Sequence, residues 1–332
     1  MLINGTVWTD TQGKPIHAHG GCILYSEGWY YWYGEDRSEN HYVNCYRSKD
    51  LMNWEFRNHV LTTFSRTEKS RNDVDLMLIR EAHTDYGAVH KLCIDAEDVY
   101  RKVNIERPKV LYNATTKQYV MWAHFENGVN YSWARAAVAT CDTPDGDFVY
   151  RGSFRPLGYM SRDCTIFQDE DGTAYFISSS NDNADMHIYR MNDDYLDVKN
   201  LVNRLFVGEF REAPVVFKRN GRYYIINSAC SGWIPNQCQY STAEAMDGEW
   251  EPLRFCADDT TYRTQPAFAV TLTNKRGELV LYMGDRWSGS EYFSSSYVML
   301  PLEFKGEKEL DFNYYESFSI DVEQGCYISE NG

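Results

Sequence analysis

A hairpin pattern that occurs five times constrains the fold of this 332-residue chain more than any other feature. Each copy begins with a polar residue, runs into an apolar strand, turns, and returns as an aromatic-rich strand. The polar residues are His19, Glu106, Asp163, Glu212 and Gln265, at intervals of 87, 57, 49 and 53 residues. A four-stranded propeller blade needs roughly 40–50 residues. The spacing therefore predicts an all-β fold, a five-bladed β-propeller, with one blade in each interval.

The fourth copy, EFREAPVVFKRNGRYYIINSA, contains a residue that an ordinary buried strand would not have. VVF and YYII flank Asn220-Gly221, which is a strong two-residue hairpin signal. Glu212 nevertheless opens the strand, and a charge at the mouth of an apolar strand is costly unless it is solvated, paired or used. The innermost strands of a propeller surround a central channel. We therefore expect the five polar side chains to meet at the mouth of that channel.

Nothing in the sequence marks a domain boundary. With 9 prolines and no Gly/Ser-rich stretch there is no linker, so we predict a single domain over residues 1–332. The first interval is the longest, and residues 65–100 are predicted to be an insertion that roofs the pocket or pairs subunits. Two β-sandwiches are the alternative, but they do not predict the same polar residue at the same register of each repeat.

Charge and aromatic content narrow the class of ligand. A formal charge of −15 argues against nucleic acid and anionic membranes as partners, since both would be repelled. Aromatic residues make up 15% of the chain, and flat rings favour strands and also stack on the apolar faces of sugars. We expect an oligosaccharide or polysaccharide partner. The oligomeric state is left open.

The cysteines and the N-terminus bear on compartment and metal content. The 9 cysteines include no CxxC pair and no Cys/His spacing typical of a metal site, so reduced thiols are expected. The opening MLINGTVWTD lacks a basic segment followed by an apolar one. We expect a cytoplasmic protein, or a secreted one if a leader has been removed.

Carboxyl groups that share one cavity repel each other when ionised, so at least one should have a raised pKa and keep its proton near neutral pH. A protonated acid facing a second carboxylate is the arrangement that glycoside hydrolysis needs. In inverting enzymes the two carboxyls lie roughly 6.5–9.5 Å apart, which leaves room for a water molecule. The spacing alone does not say which acid plays which part.

Several long motifs carry a specific resemblance. AHGGCILYSEGWYYWYGE, IERPKVLYN, SRDCTIFQDEDGTAYFISSS and REAPVVFKRNGRYYIINSACSGW, followed by Gln265, resemble glycoside hydrolase family 43, and within it the exo-β-1,3-galactanases. The match runs from about residue 17 to residue 304, nearly the whole chain. It implies a five-bladed propeller and an inverting, exo-acting hydrolase that releases galactose from β-1,3-linked galactan or galacto-oligosaccharides.

The resemblance also implies roles for the repeated polar residues. Glu212 matches the general acid, Glu106 a residue that holds the water or substrate, and Gln265 the position that activates water. Asp163 matches the aspartate that tunes the pKa of the acid. Most of family 43 has an aspartate base where this chain has His19-Gly-Gly, a departure that the galactanase branch shares. Because a neutral amide is a poor base, Gln265 would act as an imidic-acid tautomer or by orienting water, with Glu106 supplying the charge.

Further residues match positions that contact the sugar in the resembled family or line the predicted ring. The candidate substrate-binding residues are His19, Glu35, Tyr131, Asp163, Asn183, Ser231, Trp233 and Trp287. Catalysis by an acid and water requires no cofactor and no catalytic metal. A structural calcium ion in the central channel, supported by His19 and the ring carboxyls, stays open.

Two other functions stay open from the sequence. One is an α-L-arabinofuranosidase or β-xylosidase, activities common in the wider family, against which the His-Gly-Gly of the first repeat counts. The other is a non-catalytic propeller that only binds galactosides. The linkage preference, the tolerance of side chains on the galactan, and the choice between Gln265 and Glu106 as the residue that activates water are not settled by the sequence.

Overall fold

The computed structural model describes residues 1–70, 82–84, 87–89, 92–96, 99–274 and 277–329, and the chain in these ranges is all-β. Two short 3₁₀ helices, Pro156–Gly158 and Tyr292–Ser294, accompany the strands. The strands, in chain order, are β1 (Leu2–Ile3), β2 (His19–Ser26), β3 (Trp29–Glu35), β4 (His41–Ser48), β5 (Glu55–Thr62), β6 (Ala82–Thr84), β7 (Gly87–Val89), β8 (Cys93–Ala96), β9 (Val99–Lys102), β10 (Asn104–Asn113), β11 (Gln118–Glu126), β12 (Arg135–Cys141), β13 (Val149–Phe154), β14 (Cys164–Gln168), β15 (Ala174–Ser180), β16 (Asp185–Met191), β17 (Val198–Leu205), β18 (Arg211–Arg219), β19 (Arg222–Ala229), β20 (Gln239–Ala243), β21 (Arg254–Phe255), β22 (Gln265–Asn274), β23 (Gly277–Arg286), β24 (Ser296–Pro301), β25 (Glu303–Lys305), β26 (Glu309–Asp311), β27 (Ser317–Asp321) and β28 (Cys326–Ser329).

The predicted hairpins form the first two strands of five antiparallel sheets. Four of these sheets have four strands in sequence order, β2–β5, β10–β13, β14–β17 and β18–β21, and the fifth contains β22–β24. Two of the hairpin turns show why the sequence folds in this way. Glu27 and Gly28 have φ values of 52° and 76°, and Asn220 and Gly221 have 49° and 77°, as a two-residue type I′ turn requires.

The first strands of the five sheets contact one another in a cycle. β2 contacts β10 and β22, β14 contacts β10 and β18, and β18 contacts β22. A cycle of this kind brings the beginnings of all five strands to one end of a shared axis. The architecture is consistent with a β-propeller.

Aromatic side chains supply much of the core between the sheets. Trp32, Trp54 and Trp122 are among the largest fully buried side chains, each about 1% exposed or less. They belong to two clusters, one between the first and fifth sheets and one between the second and third sheets. Complete burial of a large apolar side chain contributes about 1.5–3 kcal/mol. A large share of the aromatic content therefore stabilises the fold, and only part of it lies at the candidate site.

The remaining strands lie at the chain ends and in the first interval. β1 pairs with β27, which pairs with β28, and Thr6 bridges to Tyr297 on β24. The predicted insertion at residues 65–100 falls partly outside the described residues. Its described part includes the hairpin β6–β7 and strand β8, which pairs with β9. Within the described residues, no helix has the length and apolar character to cross a membrane.

Candidate active site

A repeated β-bulge places the site residues. In β2, β10, β18 and β22 the pairing register shifts just after the polar residue, between His19 and Cys22, Glu106 and Lys109, Glu212 and Val215, and Pro266 and Phe268. In three of these bulges the residue directly after the polar residue has a left-handed backbone, with φ of 59° at Gly20, 51° at Arg107 and 53° at Ala213. A bulge bends the strand and re-aims its side chains. Left-handed Arg107 and Ala213 are locally unfavourable, a feature that often accompanies functional sites.

Residues at three of these bulges, Arg107, Glu212 and Gln265, line a cavity of about 250 Å³. This volume is below the usual 300–1,000 Å³ of sites for drug-sized ligands, which favours a small ligand. Seven of the predicted site residues line the cavity, and four arginine or histidine residues and one glycine complete the wall. The lining residues are Tyr131, Asp163, Asn183, Glu212, Trp233, Gln265 and Trp287, with Arg37, Arg107, His124, Arg162 and Gly232.

Glu212 is held by neutral amides. Gln265 donates from Nε2 to Oε1 of Glu212 at 2.9 Å, and Asn183 donates from Nδ2 to Oε2 at 3.3 Å. Burial and, second, the nearby charge of Asp163 raise the pKa of Glu212 to about 7, although Arg107 opposes the shift. A carboxyl group with this pKa keeps its proton in mildly acidic solution and can donate it to a bound ligand.

Glu106, in contrast, is surrounded by basic side chains and hydrogen-bond donors. Its Oε1 accepts from the Tyr131 hydroxyl at 3.0 Å, from Asn104 Nδ2 at 3.1 Å and from Arg37 at 3.3 Å, and its Oε2 lies 3.5 Å from Nδ1 of His124. Burial alone would raise the pKa of Glu106, but the hydrogen bond and charge of His124, with Arg37 and Tyr131, lower it to about 2. Glu106 is therefore ionised, just behind the side chains that line the cavity.

Arg107 links three parts of the site. Its Nε lies 2.8 Å from Oδ2 of Asp163, one terminal nitrogen donates to Oε1 of Gln265 at 2.5 Å, and the other donates to the carbonyl of Pro266 at 2.8 Å. The amide of Ala213 donates to Asp163 at 3.1 Å. Asp163 is thereby fixed beside Glu212, where its charge acts on the Glu212 carboxyl.

Gln265 has partners on both ends of its amide. Oε1 accepts from Arg107 and, at 2.9 Å, from Nε1 of Trp287, while Nε2 donates to Glu212. This pattern fixes the amide as a donor toward Glu212. The predicted role of Gln265 in activating water stays a prediction.

Besides Glu106, which lies just behind the cavity wall, three predicted residues do not line the cavity. His19 is 0% exposed; its Nδ1 lies 2.9 Å from Asp285, and its ring stacks on Tyr297 and packs against Trp287. Glu35 is buried and accepts from Arg37 at 3.0 Å.

Ser231, the third of these residues, lies in the same loop as Trp233. Its hydroxyl donates to the carbonyl of Ile234 and accepts from Asn236. Direct contact of His19, Glu35 or Ser231 with a substrate stays a prediction.

Two groups of described side chains bring three ligand-type atoms within 4.8 Å of one another. In the first, Asp36, His41 and His59, the imidazole rings stack 3.5 Å apart at 14°, so their in-plane lone pairs run nearly parallel instead of converging on one ion. The second is Glu106, His124 and Asp163. Metal ligation needs a neutral imidazole, whereas the two carboxylates bonded to His124 raise its pKa to about 9.

The calcium ion left open by the sequence would need an oxygen-rich shell. His19 is bonded to Asp285 and otherwise packed among Trp287, Tyr292 and Tyr297, so its surroundings do not fit such a shell. A calcium ion elsewhere in the channel stays a prediction.

The sequence reasoning missed Arg37, Arg107, His124 and Arg162. Arg107 and Arg162 directly neighbour the predicted acids Glu106 and Asp163, and the pairing of their charges is visible only in three dimensions. A signal for His124 was present. It pairs with Glu106 across the second hairpin, just as the predicted residue Glu35 pairs with His19 across the first.

Comparisons with known proteins identify the family of the chain. The profile of glycosyl hydrolases family 43 matches residues 110–283. The crystal structure of an exo-β-1,3-galactanase from Clostridium thermocellum has 43% sequence identity and a TM-score of 0.86, over 99% of this chain and 68% of that chain. An exo-β-1,3-galactanase variant from Phanerochaete chrysosporium, solved with β-1,3-galactotriose, has 35% identity and a TM-score of 0.83, over 98% and 69%.

A third solved structure matches over its whole length. A family 43 β-1,3-galactosidase solved with galactodeoxynojirimycin has 32% identity and a TM-score of 0.80, over 96% of this chain and 100% of that chain. Among curated protein sequences, no significant match was found.

Proposed function

Because the chain belongs to glycosyl hydrolases family 43, in its exo-β-1,3-galactanase branch, we propose that it is an inverting, exo-acting hydrolase. Its proposed product is galactose, released from β-1,3-linked galactan or galacto-oligosaccharides. The observation that carries the proposal is the contrast between two carboxyls of one site. Glu106 is bonded to Arg37 and Tyr131 beside His124, whereas Glu212 is bonded to the amides of Gln265 and Asn183. These surroundings place the pKa of Glu106 at about 2 and that of Glu212 at about 7. Two carboxyls whose surroundings give them such different pKa values can be identified as the acid and its ionised partner.

We further infer that the five sheets are the blades of one five-bladed propeller domain over residues 1–332. The cycle of contacts among β2, β10, β14, β18 and β22 supports this inference. The bridge between Thr6 and Tyr297 supports it too, because it joins the N-terminal segment to the last strand of the fifth sheet.

In the proposed reaction Glu212 gives its proton to the glycosidic oxygen as the bond from that oxygen to the anomeric carbon breaks. A water molecule attacks the anomeric carbon from the opposite face, and its proton passes to the Glu106 carboxylate. The products are the shortened galactan and galactose of inverted configuration. The reaction consumes one water molecule and uses protons only, so the mechanism requires no cofactor.

Glu106 is the better candidate for the residue that activates water. It is ionised, whereas the amide of Gln265 is neutral and therefore a poor base. In this scheme Gln265 orients the acid and helps to hold the water. Asp163 raises the pKa of Glu212, which agrees with the role that the sequence resemblance implied.

The cavity wall suits a single sugar ring at a chain end. Trp233 is 45% exposed and meets Trp287 edge to face at 5.3 Å, so the two indoles form a corner with apolar surface. Sugar rings stack on such faces, and carboxylates, amides and guanidinium groups around them bind hydroxyls. Trp233 and Tyr131 are the proposed stacking residues, with Asn183 and Arg162 as hydroxyl partners.

The test is hydrolysis of β-1,3-galactobiose, with an aryl α-L-arabinofuranoside as the competing substrate and NMR to identify the first-formed anomer. We expect release of α-galactose from the galactobiose. Glu212→Gln should lower the rate by about 10²–10⁴-fold. Glu209→Gln, an exposed carboxyl three positions earlier, is the matched control and should keep full activity. Undiminished galactose release by Glu212→Gln would remove Glu212 from its role, and hydrolysis of the arabinofuranoside alone would replace the proposed substrate.

A further inference from the structure

A second buried carboxylate lies behind the site and takes no part in the mechanism above. Glu126, at the end of β11, is 0% exposed. One of its oxygens accepts from the amide of Ala134 at 2.9 Å and the other accepts from the amide of Trp133 at 2.9 Å. A buried charge is costly unless it is paired and hydrogen-bonded, so the position of Glu126 needs an explanation.

His124 lies between Glu126 and the site. The two residues are two apart on β11, so their side chains leave the same face of the strand. Nε2 of His124 lies 3.0 Å from Oε1 of Glu126. The other ring nitrogen, Nδ1, lies 3.5 Å from Oε2 of Glu106 and 3.8 Å from Oδ1 of Asp163.

His124 is 1% exposed yet is part of the cavity wall, and its Nδ1 makes no hydrogen bond of good geometry within the described residues. The groups that face it come from several strands. Three are carboxylates, namely Glu106 of β10, Glu126 of its own strand, and Asp163 beside β14. Cations along the same cavity share two of these acids, since Arg37 pairs with Glu106 and Arg107 pairs with Asp163, whereas Arg162 pairs with Asp182.

This arrangement favours the charged imidazolium. Burial alone would lower the pKa of His124, but the neighbouring carboxylates of Glu106 and Glu126, with the charge of Asp163, raise it to about 9. The imidazolium in turn favours the ionised form of Glu106.

We propose that Glu126 and His124 are a positioning pair, in which the buried Glu126 holds the His124 imidazolium against Glu106 and thereby keeps Glu106 a carboxylate. The inference rests on the proposed hydrolase function, because it assigns the two residues to that same site. It extends the functional residues to Glu126, which does not line the cavity.

The test compares the pH dependence of kcat/KM on β-1,3-galactobiose in wild type, His124→Gln and Glu126→Gln. Loss of the cation should move the pKa of Glu106 from about 2 toward its ordinary 4.5. The ratio of activity at pH 3.5 to that at pH 6 should then fall roughly tenfold, since each pKa unit changes the ionised fraction about tenfold. Glu126→Gln should shift the acidic limb in the same direction, although the residue is distant from the substrate.

The matched control is His187→Gln. His187 is another buried histidine two residues from a buried carboxylate, Asp185, but it lies in the third sheet and does not line the cavity. The His187→Gln variant should lower the midpoint temperature of unfolding without moving the acidic limb of the kcat/KM profile. Folded His124→Gln and Glu126→Gln variants with an unshifted acidic limb would overturn the proposal.

A second measurement does not depend on activity. In wild type, the ¹⁵N NMR shifts of the His124 ring nitrogens should report a protonated imidazole at pH 7. The Glu126→Gln substitution should lower the pH midpoint of the His124 titration. A neutral ring at pH 7 would contradict the pair even if both variants failed to fold. If wild type releases no galactose, the proposed function fails, and the ring titration still decides the state of the pair.

Discussion

Glu106 and Glu212 occupy equivalent places in two sheets, and the comparison between them shows what sets their chemistry. Each lies near the start of the first strand of its sheet, and each precedes a left-handed residue, Arg107 or Ala213, and a β-bulge. The backbone is the same, but the neighbours differ. Glu106 is met by a guanidinium group, an imidazolium, a hydroxyl and an amide. Glu212 is met by two amides and the charge of Asp163, which Arg107 offsets only in part.

The difference shows that the repeat places each carboxyl at the site, whereas neighbouring side chains from other strands determine whether that carboxyl is protonated. A carboxyl beside cations and hydrogen-bond donors is ionised at low pH, and one that is desolvated beside another carboxylate keeps its proton. One repeated strand start therefore produces an acid in one sheet and a carboxylate in another. The following predictions test that contrast.

The largest effect is expected from Glu106→Ala. Removal of the ionised partner should lower galactose release by about 10²–10⁴-fold. Sodium azide should restore turnover and give α-galactosyl azide, because the anion attacks the anomeric carbon without needing a base. Gln265→Ala serves as the comparison. If azide rescues Gln265→Ala and leaves Glu106→Ala inactive, the amide is the residue that activates water.

A smaller effect concerns stability. The ordinary pKa of Glu212 is 4.5 and its value in the folded protein is about 7. The contribution of Glu212 to the free energy of unfolding is therefore fully present below pH 4.5. It is lost as the pH rises through about 7, where the carboxyl ionises in the folded protein. The loss should be on the order of 3 kcal/mol, at about 1.4 kcal/mol for each pKa unit. Denaturant unfolding should show that the stability of Glu212→Gln relative to wild type increases by this amount between pH 4 and pH 8. An equal increase for Glu209→Gln would mean that the effect is not specific to the site.

The smallest effect is expected from Asp163→Asn. The charge of Asp163 raises the pKa of Glu212, so its removal should move the alkaline limb of kcat/KM to lower pH, by about one unit for an interaction of 1.4 kcal/mol. The asparagine keeps an oxygen that can accept from the amide of Ala213. An alkaline limb that stays in place, in a variant that still binds galactose, would assign the raised pKa to burial alone.

Much of the fold, and the carboxyls that meet at the candidate site, could be predicted from local patterns. Hairpin turns such as Asn220-Gly221 depend on two adjacent residues, and the repeated polar residue marks the start of each first strand. The family resemblance then separated Glu212 from Glu106 and Asp163. These features are all encoded within short stretches of the chain.

The electrostatic partners could not be predicted in the same way. Arg37, Arg107 and His124 act on carboxylates of other strands or other sheets, and their effect depends on distances that no local pattern fixes. His19 shows the opposite case. Its register was identified, but its side chain packs into a pocket of aromatic rings from Trp287, Tyr292 and Tyr297, so its place in the repeat did not reveal where it points.

The central claim is that Glu212 keeps its proton while Glu106 does not, and ¹³C NMR of carboxyl-labelled glutamate tests it most directly. The Glu212 signal, assigned by its loss in Glu212→Gln, should titrate with a midpoint near 7, and the Glu106 signal, assigned in the same way, should remain that of a carboxylate down to about pH 2. Two midpoints close to the ordinary 4.5 would contradict the account.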